Sequence, residues 1–259
     1  MESNRRLVAL VTGGSRGVGA ATALALADRG YDVLITYRNK AARAREVAHA
    51  VMQRGVRALP VGCDITKQDD RNHLFARFME WSDHLDLLVL NASGGLERDL
   101  VAADPQYPMH INHDAQLALL DAALPLMPRG ATVIFVTSHW AHRHGEVEQF
   151  PAYTAVAASK HAGEQALRRR QEGLTQQGIR LLVVTGDLIE GTITPKLLGR
   201  AAPGSIEQRR DDVGSLPTTT DMGEAIAKSA TDSSLPGGHT VVVGGPLESL
   251  SPLAGAPEG

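Results

Sequence analysis

The stretch LVALVTGGSRGVGAATALALADRG, residues 7–30, decides the fold. It opens on a short apolar run rich in Val and Leu, the make-up of a strand buried on both faces. Glycines interrupt it, and apolar residues then recur at helical spacing until Gly30, a good helix stop. Within the turn TGGSRGVG (12–19), Gly13 permits a tight bend and Gly17 lets backbone approach a phosphate. Gly19 allows close helix–sheet packing. A pyrophosphate would then meet the free N–H groups and positive end of the following helix. Gly13, Ser15, Arg16, Gly17, Val18 and Gly19 are the candidate dinucleotide contacts. A glycine trio alone fits a bland tight turn equally well; the strand before it and helix after it favour nucleotide binding.

The alternation continues along the chain. Apolar runs lie at 32–37 (DVLITY), 57–64 (RALPVGCD), 85–91 (LDLLVLN), 131–138 (ATVIFVTS), 179–186 (IRLLVVTG) and 239–245 (HTVVVGG). Helical patterns lie between them, including HINHDAQLALLDAALPLM (110–127) and SKHAGEQALRRRQEGLTQQG (159–178). This predicts an α/β fold: a doubly wound, Rossmann-type, seven-stranded parallel sheet with helices on both faces, in one domain over 1–250. Segment 191–220 breaks the rhythm with Gly, Pro, Thr and charge, and reads as a mobile flap over the site. The tail SPLAGAPEG (251–259) reads as flexible.

Composition narrows the function classes. The 259 residues suffice for one large α/β domain. A net charge of −3 argues against nucleic acid and against an anionic membrane surface. Cys63 is the one cysteine, so no internal disulfide forms, which fits a reducing cytoplasm. The opening MESNRRLVALVTGG reads as the approach to a first strand rather than a signal peptide. No run approaches the ~20 apolar residues of a membrane span.

The second strand ends in TYRN (36–39), where a cofactor with a free ribose 2′-OH usually meets a carboxylate. Here Arg38 stands beside Tyr37, and Arg16 lies in the glycine turn. Two guanidinium groups suit a 2′-phosphate, so NADPH is expected in preference to NADH. The alternative is that both arginines are solvated surface residues.

TGGSRGVG joins CDIT (63–66), LNAS (90–93), IN (111–112), VTS (136–138) and ASKHAGE (158–164). In order and spacing these motifs resemble the short-chain dehydrogenase/reductase family over nearly the whole chain. The resemblance implies that Asp64 and Ile65 bracket the adenine and that Asn91, Ala92 and Ser93 line the cofactor. Leu90 and Ser93 depart from the family's Asn and Gly there. It further implies that Asn112 supports a water chain, Ser138 hydrogen-bonds the substrate carbonyl and Lys160 holds the nicotinamide ribose. Thr192 matches the threonine that touches the carboxamide, more loosely, because Thr185-Gly186 replaces a Pro-Gly and the loop carries extra residues. Family members pair through helices at about 112–127 and 156–177, which implies a homo-oligomer.

One departure matters most. The family's proton-donating tyrosine stands four residues before the lysine, where PAYTAVAASKHAGE (151–164) has Val156. Tyr153 is seven before Lys160. Four helical residues span ~6 Å and seven ~10.5 Å on nearly the same face, so Tyr153 is expected a turn too far from Lys160. It either donates the proton from there or packs at the helix entrance, which Pro151 places near 152. Ahead of it, SHWAHRHGEVEQF (138–150) carries histidines at 139, 142 and 144 without a nearby cysteine, and no metal site is expected. His139 is a candidate proton relay and Trp140 a stacking platform for a flat aromatic substrate. Either residue serves equally well as filling beneath a lid.

Three functional readings follow. The first is an NADPH-dependent ketoreductase of a bulky, polycyclic aromatic polyketide ketone, resembling an atypical antibiotic-tailoring branch of the family. Its proton comes from elsewhere than the usual tyrosine, such as a phenol beside the substrate carbonyl. The second is a nucleotide-binding sensor or scaffold without turnover. The third is an ordinary reductase that uses Tyr153.

Overall fold

A computed structural model describes residues 5–253. Seven strands form one sheet: β1 (Val8–Val11), β2 (Asp32–Tyr37), β3 (Ala58–Gly62), β4 (Leu87–Leu90), β5 (Thr132–Ser138), β6 (Arg180–Gly186) and β7 (Thr240–Val243). Their order is β3-β2-β1-β4-β5-β6-β7, and every pairing is parallel. The order reverses between β1 and β4, which opens a crevice at the strand C-termini where such sheets bind ligands.

Alternate residues of each central strand feed opposite cores. Val8 and Leu10, Leu88 and Leu90, and Val133 and Phe135 face one side. Ala9 and Val11, Leu87 and Val89, and Ile134 and Val136 face the other. The first side is covered by α3 (Gln68–Trp81), α4 (Ala115–Ala123) and α5 (Thr154–Arg169), through Leu74, Phe78, Leu119 and Leu167. The second is covered by α1 (Gly17–Ala27), α2 (Ala41–Met52) and α6 (Thr219–Thr231), through Ala23, Leu26, Val51 and Ile226. Both faces are therefore dry, which is why the strands read as continuous apolar runs.

A third, smaller cluster roofs the crevice. Trp140, Val147, Tyr153, Val156, Leu188, Leu198, Leu216 and Leu250 pack together beyond the strand ends. Segment 191–220 contributes to it as two helices, Ile193–Ala201 and Ser205–Val213, with Gly204 at φ +86° between them. The start of the expected tail is pinned to the insert after β5: Glu148 N donates to Ser251 O and Leu253 N to Glu146 O, both at 2.9 Å. Residues 254–259 of that tail lie outside the described residues. Among the described residues no helix is long and apolar enough to cross a membrane.

Candidate active site

The turn between β1 and α1 is built as its glycines require. Gly13 and Gly17 have φ of +70° and +57°, the left-handed region that side chains disfavour. A Cβ on Gly19 would lie 2.4 Å from the Gly13 carbonyl oxygen. The turn borders a cleft of about 510 Å³. Ser15, Arg16 and Val18 line it with Asp64, Ile65, Asn91, Ala92, Ser93 and Thr192. All the cofactor candidates read from sequence therefore converge except Lys160, which lines the adjoining pocket. Asn91 is fixed by its Nδ2, which donates to Thr12 O at 2.8 Å. Asp64 closes a local turn by accepting from Thr66 Oγ1 at 2.7 Å.

The charge at one end of the cleft exceeds the sequence expectation. Arg38 lines it together with Lys40 and Arg43, which the sequence reading passed over although they continue the basic run RNKAAR (38–43). Arg38 Nη1 donates to the Tyr107 hydroxyl at 2.5 Å, and its Nη2 lies 3.6 Å from Glu97 Oε1. An adenine nucleotide with a 2′-phosphate fits these residues: glycine backbone for the pyrophosphate, four cations for the extra phosphate. Cys63 also borders the cleft as an inert thiol, pushed up to about 12 by burial and by Asp70 and Asp64.

Asn91 and Thr192 also line a second, smaller pocket of about 140 Å³. Ser138, Trp140, Tyr153 and Lys160 converge here over Leu188, Leu198 and Met222. Lys160 is buried, and burial lowers its pKa to about 8 against a partial upward pull from Glu164, one turn along α5. Glu164 is itself held ionised by His142 and Arg168, whose nitrogens lie 2.8 and 2.9 Å from its Oε1.

Ser138 ends β5 and caps the short helical turn His139–His142, its Oγ accepting from Ala141 N at 3.2 Å. The Tyr153 hydroxyl is 3.0 Å from the same Oγ. Tyr153 thus stands ahead of α5 with its hydroxyl at the Ser138 end of the pocket. Pro151–Tyr153 form a tight turn ahead of α5, and the ring extends from it. Burial raises the Tyr153 pKa, with only the Ser138 hydrogen bond opposing it. Lys160 exerts no lowering effect on it. Val156 packs in the roof cluster behind this lining, its methyl 3.0 Å from where a Cβ on Gly95 would stand.

Asn112 lies in a wide, π-type helical turn, His110–Asp114. Such turns often mark functional positions. Its Nδ2 donates to Gly94 O at 2.9 Å and Ser159 Oγ at 3.0 Å, and its Oδ1 accepts from Ser93 Oγ at 2.9 Å. Asn112 therefore ties the β4 loop to the residue beside Lys160.

His139 is the correction. It does not line the substrate pocket: its Nδ1 lies 3.0 Å from Thr185 Oγ1 and its Nε2 2.9 Å from Gly245 O, with the residue fully buried. Burial lowers its pKa to about 4, against Asp187 and the Gly245 carbonyl, and both ring nitrogens are engaged away from the pocket. The helical turn starting at 139 swings it to the opposite side from Ser138. Trp140 does line the pocket and packs on Phe150, centroids 5.1 Å apart. Among the described residues no three His, Cys, Asp or Glu side chains gather as a metal site.

Residues 7–198 match the family model for short chain dehydrogenases. The chain belongs to the short-chain dehydrogenase family. Hydroxynaphthalene reductase-like protein Arp2 of Metarhizium anisopliae is 31% identical over 160 residues, 61% of this chain. That match spans only 58% of the relative's own length. Among solved structures, the lugdunomycin-pathway reductase LugOII is 28% identical with a TM-score of 0.77, covering 93% of this chain and 98% of that one. The angucycline C-6 ketoreductase LanV, solved with bound NADP, is 26% identical with a TM-score of 0.76, covering 93% and 96%.

Proposed function

We propose that this short-chain dehydrogenase is an NADPH-dependent ketoreductase of a polycyclic aromatic polyketide ketone. The observation that carries it is the convergence of Ser138, Lys160 and Thr192 where a cationic nucleotide cleft meets a small apolar pocket. LanV, with bound NADP, and LugOII, a keto-reduction catalyst, support the cofactor and substrate class. Bound NADPH would supply hydride to the carbonyl carbon. Arg16, Arg38, Lys40 and Arg43 would hold its 2′-phosphate, and Lys160 its nicotinamide ribose. We place the reaction in the cytoplasm, in a homo-oligomer paired through α4 and α5.

The proton is assigned to the substrate. Ser138 Oγ accepts from Ala141 N, and if Tyr153 donates to it as well, both lone pairs are used. The serine's own proton is then free for the carbonyl oxygen. Tyr153 becomes the residue that orients Ser138, and its raised pKa makes it a poor acid. As the carbonyl π pair moves onto oxygen, a neighbouring phenol O–H transfers its proton there. The phenolate left behind is delocalised over the rings and is reprotonated by water.

A second reading is favoured by the 3.0 Å Ser138–Tyr153 contact itself: Tyr153 is the general acid. Tyr153→Phe separates the two. Loss of one neutral hydrogen bond costs about 0.5–1.5 kcal/mol, roughly two- to tenfold in kcat/KM. Loss of a general acid costs ~10²–10⁴-fold. Stopped-flow NADPH oxidation is expected to show the small loss with phenol-flanked ketones, and little turnover of ketones lacking the phenol. Equal turnover of both ketones defeats the substrate-derived proton. Binding of NADPH with no oxidation of any carbonyl would leave the sensor or scaffold reading.

A further inference from the structure

The pocket at Ser138 encloses about 140 Å³, well below the ~300–1,000 Å³ of cavities that hold drug-sized ligands. The neighbouring cleft is committed to the dinucleotide. A bulky polycyclic ketone therefore needs further room. A third cavity of about 230 Å³ has Trp140 in common with the pocket. It lies between the helix Ser205–Val213, the insert at 148–150 and residues 249–251.

Its lining has a definite chemistry. Trp140 and Phe150 offer aromatic surface. Glu148 and Asp212 add two carboxylates, the Asp212 Oδ1 accepting from Gln208 Nε2 at 2.8 Å and its Oδ2 left open among the described residues. The Arg209 guanidinium lies 5.5 Å from the Trp140 ring, but its charge is taken by Asp187, whose Oδ2 is 2.7 Å from Nη2. Gln149 also borders the cavity. Its Nε2 donates to Trp140 O at 3.0 Å and Val147 O at 3.2 Å, while its buried Oε1 has no partner among the described residues. The lining's one cation is thus engaged, and the carboxylates give the wall a negative character. Such a wall repels an anionic appendage and suits a ring that presents hydroxyl donors at its rim and C–H groups to aromatic surface.

We propose that this cavity is a substrate subsite for an uncharged, hydroxyl-bearing ring carried by the aromatic ketone at an edge remote from the carbonyl. Trp140 is the wall common to the reacting pocket and the subsite. The proposal rests on the ketoreductase reading and deepens it.

Steady-state NADPH oxidation with two ketones tests it: a compact phenol-flanked ketone, and the same ketone bearing a glycosidic ring at the remote edge. The native chain is expected to show a KM at least tenfold lower for the extended ketone. Ser205→Trp, which fills the cavity, is expected to erase that advantage while leaving the KM and kcat of the compact ketone unchanged. Asp212→Asn, which fills nothing, is expected to raise the extended ketone's KM several-fold. Equal KM values for the two ketones in the native chain would overturn the subsite while the ketoreductase reading stood. So would variants that shift both ketones alike. No oxidation of either ketone would overturn both.

Discussion

Arg38 reaches the nucleotide cleft with two neighbours already in place, the Tyr107 hydroxyl and the Glu97 carboxylate. That arrangement positions a fork for a 2′-phosphate before any ligand arrives. Charge-assisted hydrogen bonds contribute about 1.5–3 kcal/mol each, so Arg38→Ala is expected to weaken NADPH binding roughly 10- to 100-fold. NADH binding should change less than threefold, as read by titration calorimetry; an equal loss for both would remove Arg38 from phosphate recognition. At this scale the sequence was legible where a motif fixes backbone, as at Gly13 to Gly19, and less so where side chains reach. The Tyr153 contact with Ser138 was not legible, because residue spacing measures Cα positions along one helix, whereas the ring leaves from a tight turn ahead of it. Adjacency misled for His139, since neighbours across a strand–helix junction point to opposite sides.

The elements that hold the site meet most tightly where α5 passes the wide turn at Asn112. A Cβ on Gly163 would lie 2.1 Å from the Asn112 carbonyl oxygen. Within a free helix, Gly→Ala adds stability of about 1 kcal/mol. Here the sign is expected to reverse: Gly163→Ala forces two backbones apart and costs roughly 1–3 kcal/mol, seen as a fall of several degrees in Tm. The misplacement of Asn112 and Lys160 should lower kcat as well. The layer helices and strands were readable because each faces a dry core on a fixed period. The helices Ile193–Ala201 and Ser205–Val213 were not, because Pro195, Gly199 and Gly204 mimic a loop. Pro195 falls in a first turn, where its missing N–H costs nothing, and Gly204 precedes the second helix at φ +86°.

Across the whole molecule, His139, Asp187 and Arg209 join β5, β6, the second roof helix and the chain after β7 in one buried polar knot. His139 meets Gly245 O, Asp187 Oδ2 accepts from Gly245 N, and Arg209 donates to Asp187 and to Ser249 O. His139 titrates at about 4 in the fold, below the ordinary value of 6.5, chiefly because burial disfavours its cation. The unfolded chain therefore binds the proton first. The stability is present above pH 6.5 and is lost as pH falls through 6.5 towards 4, by roughly 3 kcal/mol at about 1.4 kcal/mol per unit. Urea midpoints measured between pH 7 and 4.5 should fall steeply, and His139→Gln should flatten that limb. An unchanged slope in the variant would assign acid sensitivity elsewhere.

The same knot also fixes one side of the roof over the crevice. Arg209 moors Ser205–Val213 to the sheet and to residue 249, so that helix behaves as a door frame. The leaf is left to Ile193–Ala201, flanked by Gly191 and Gly204 at φ +83° and +86°. A swing of that one short helix would widen the entrance beside Thr192 and Leu198, and is expected to leave the helix Ser205–Val213 in place.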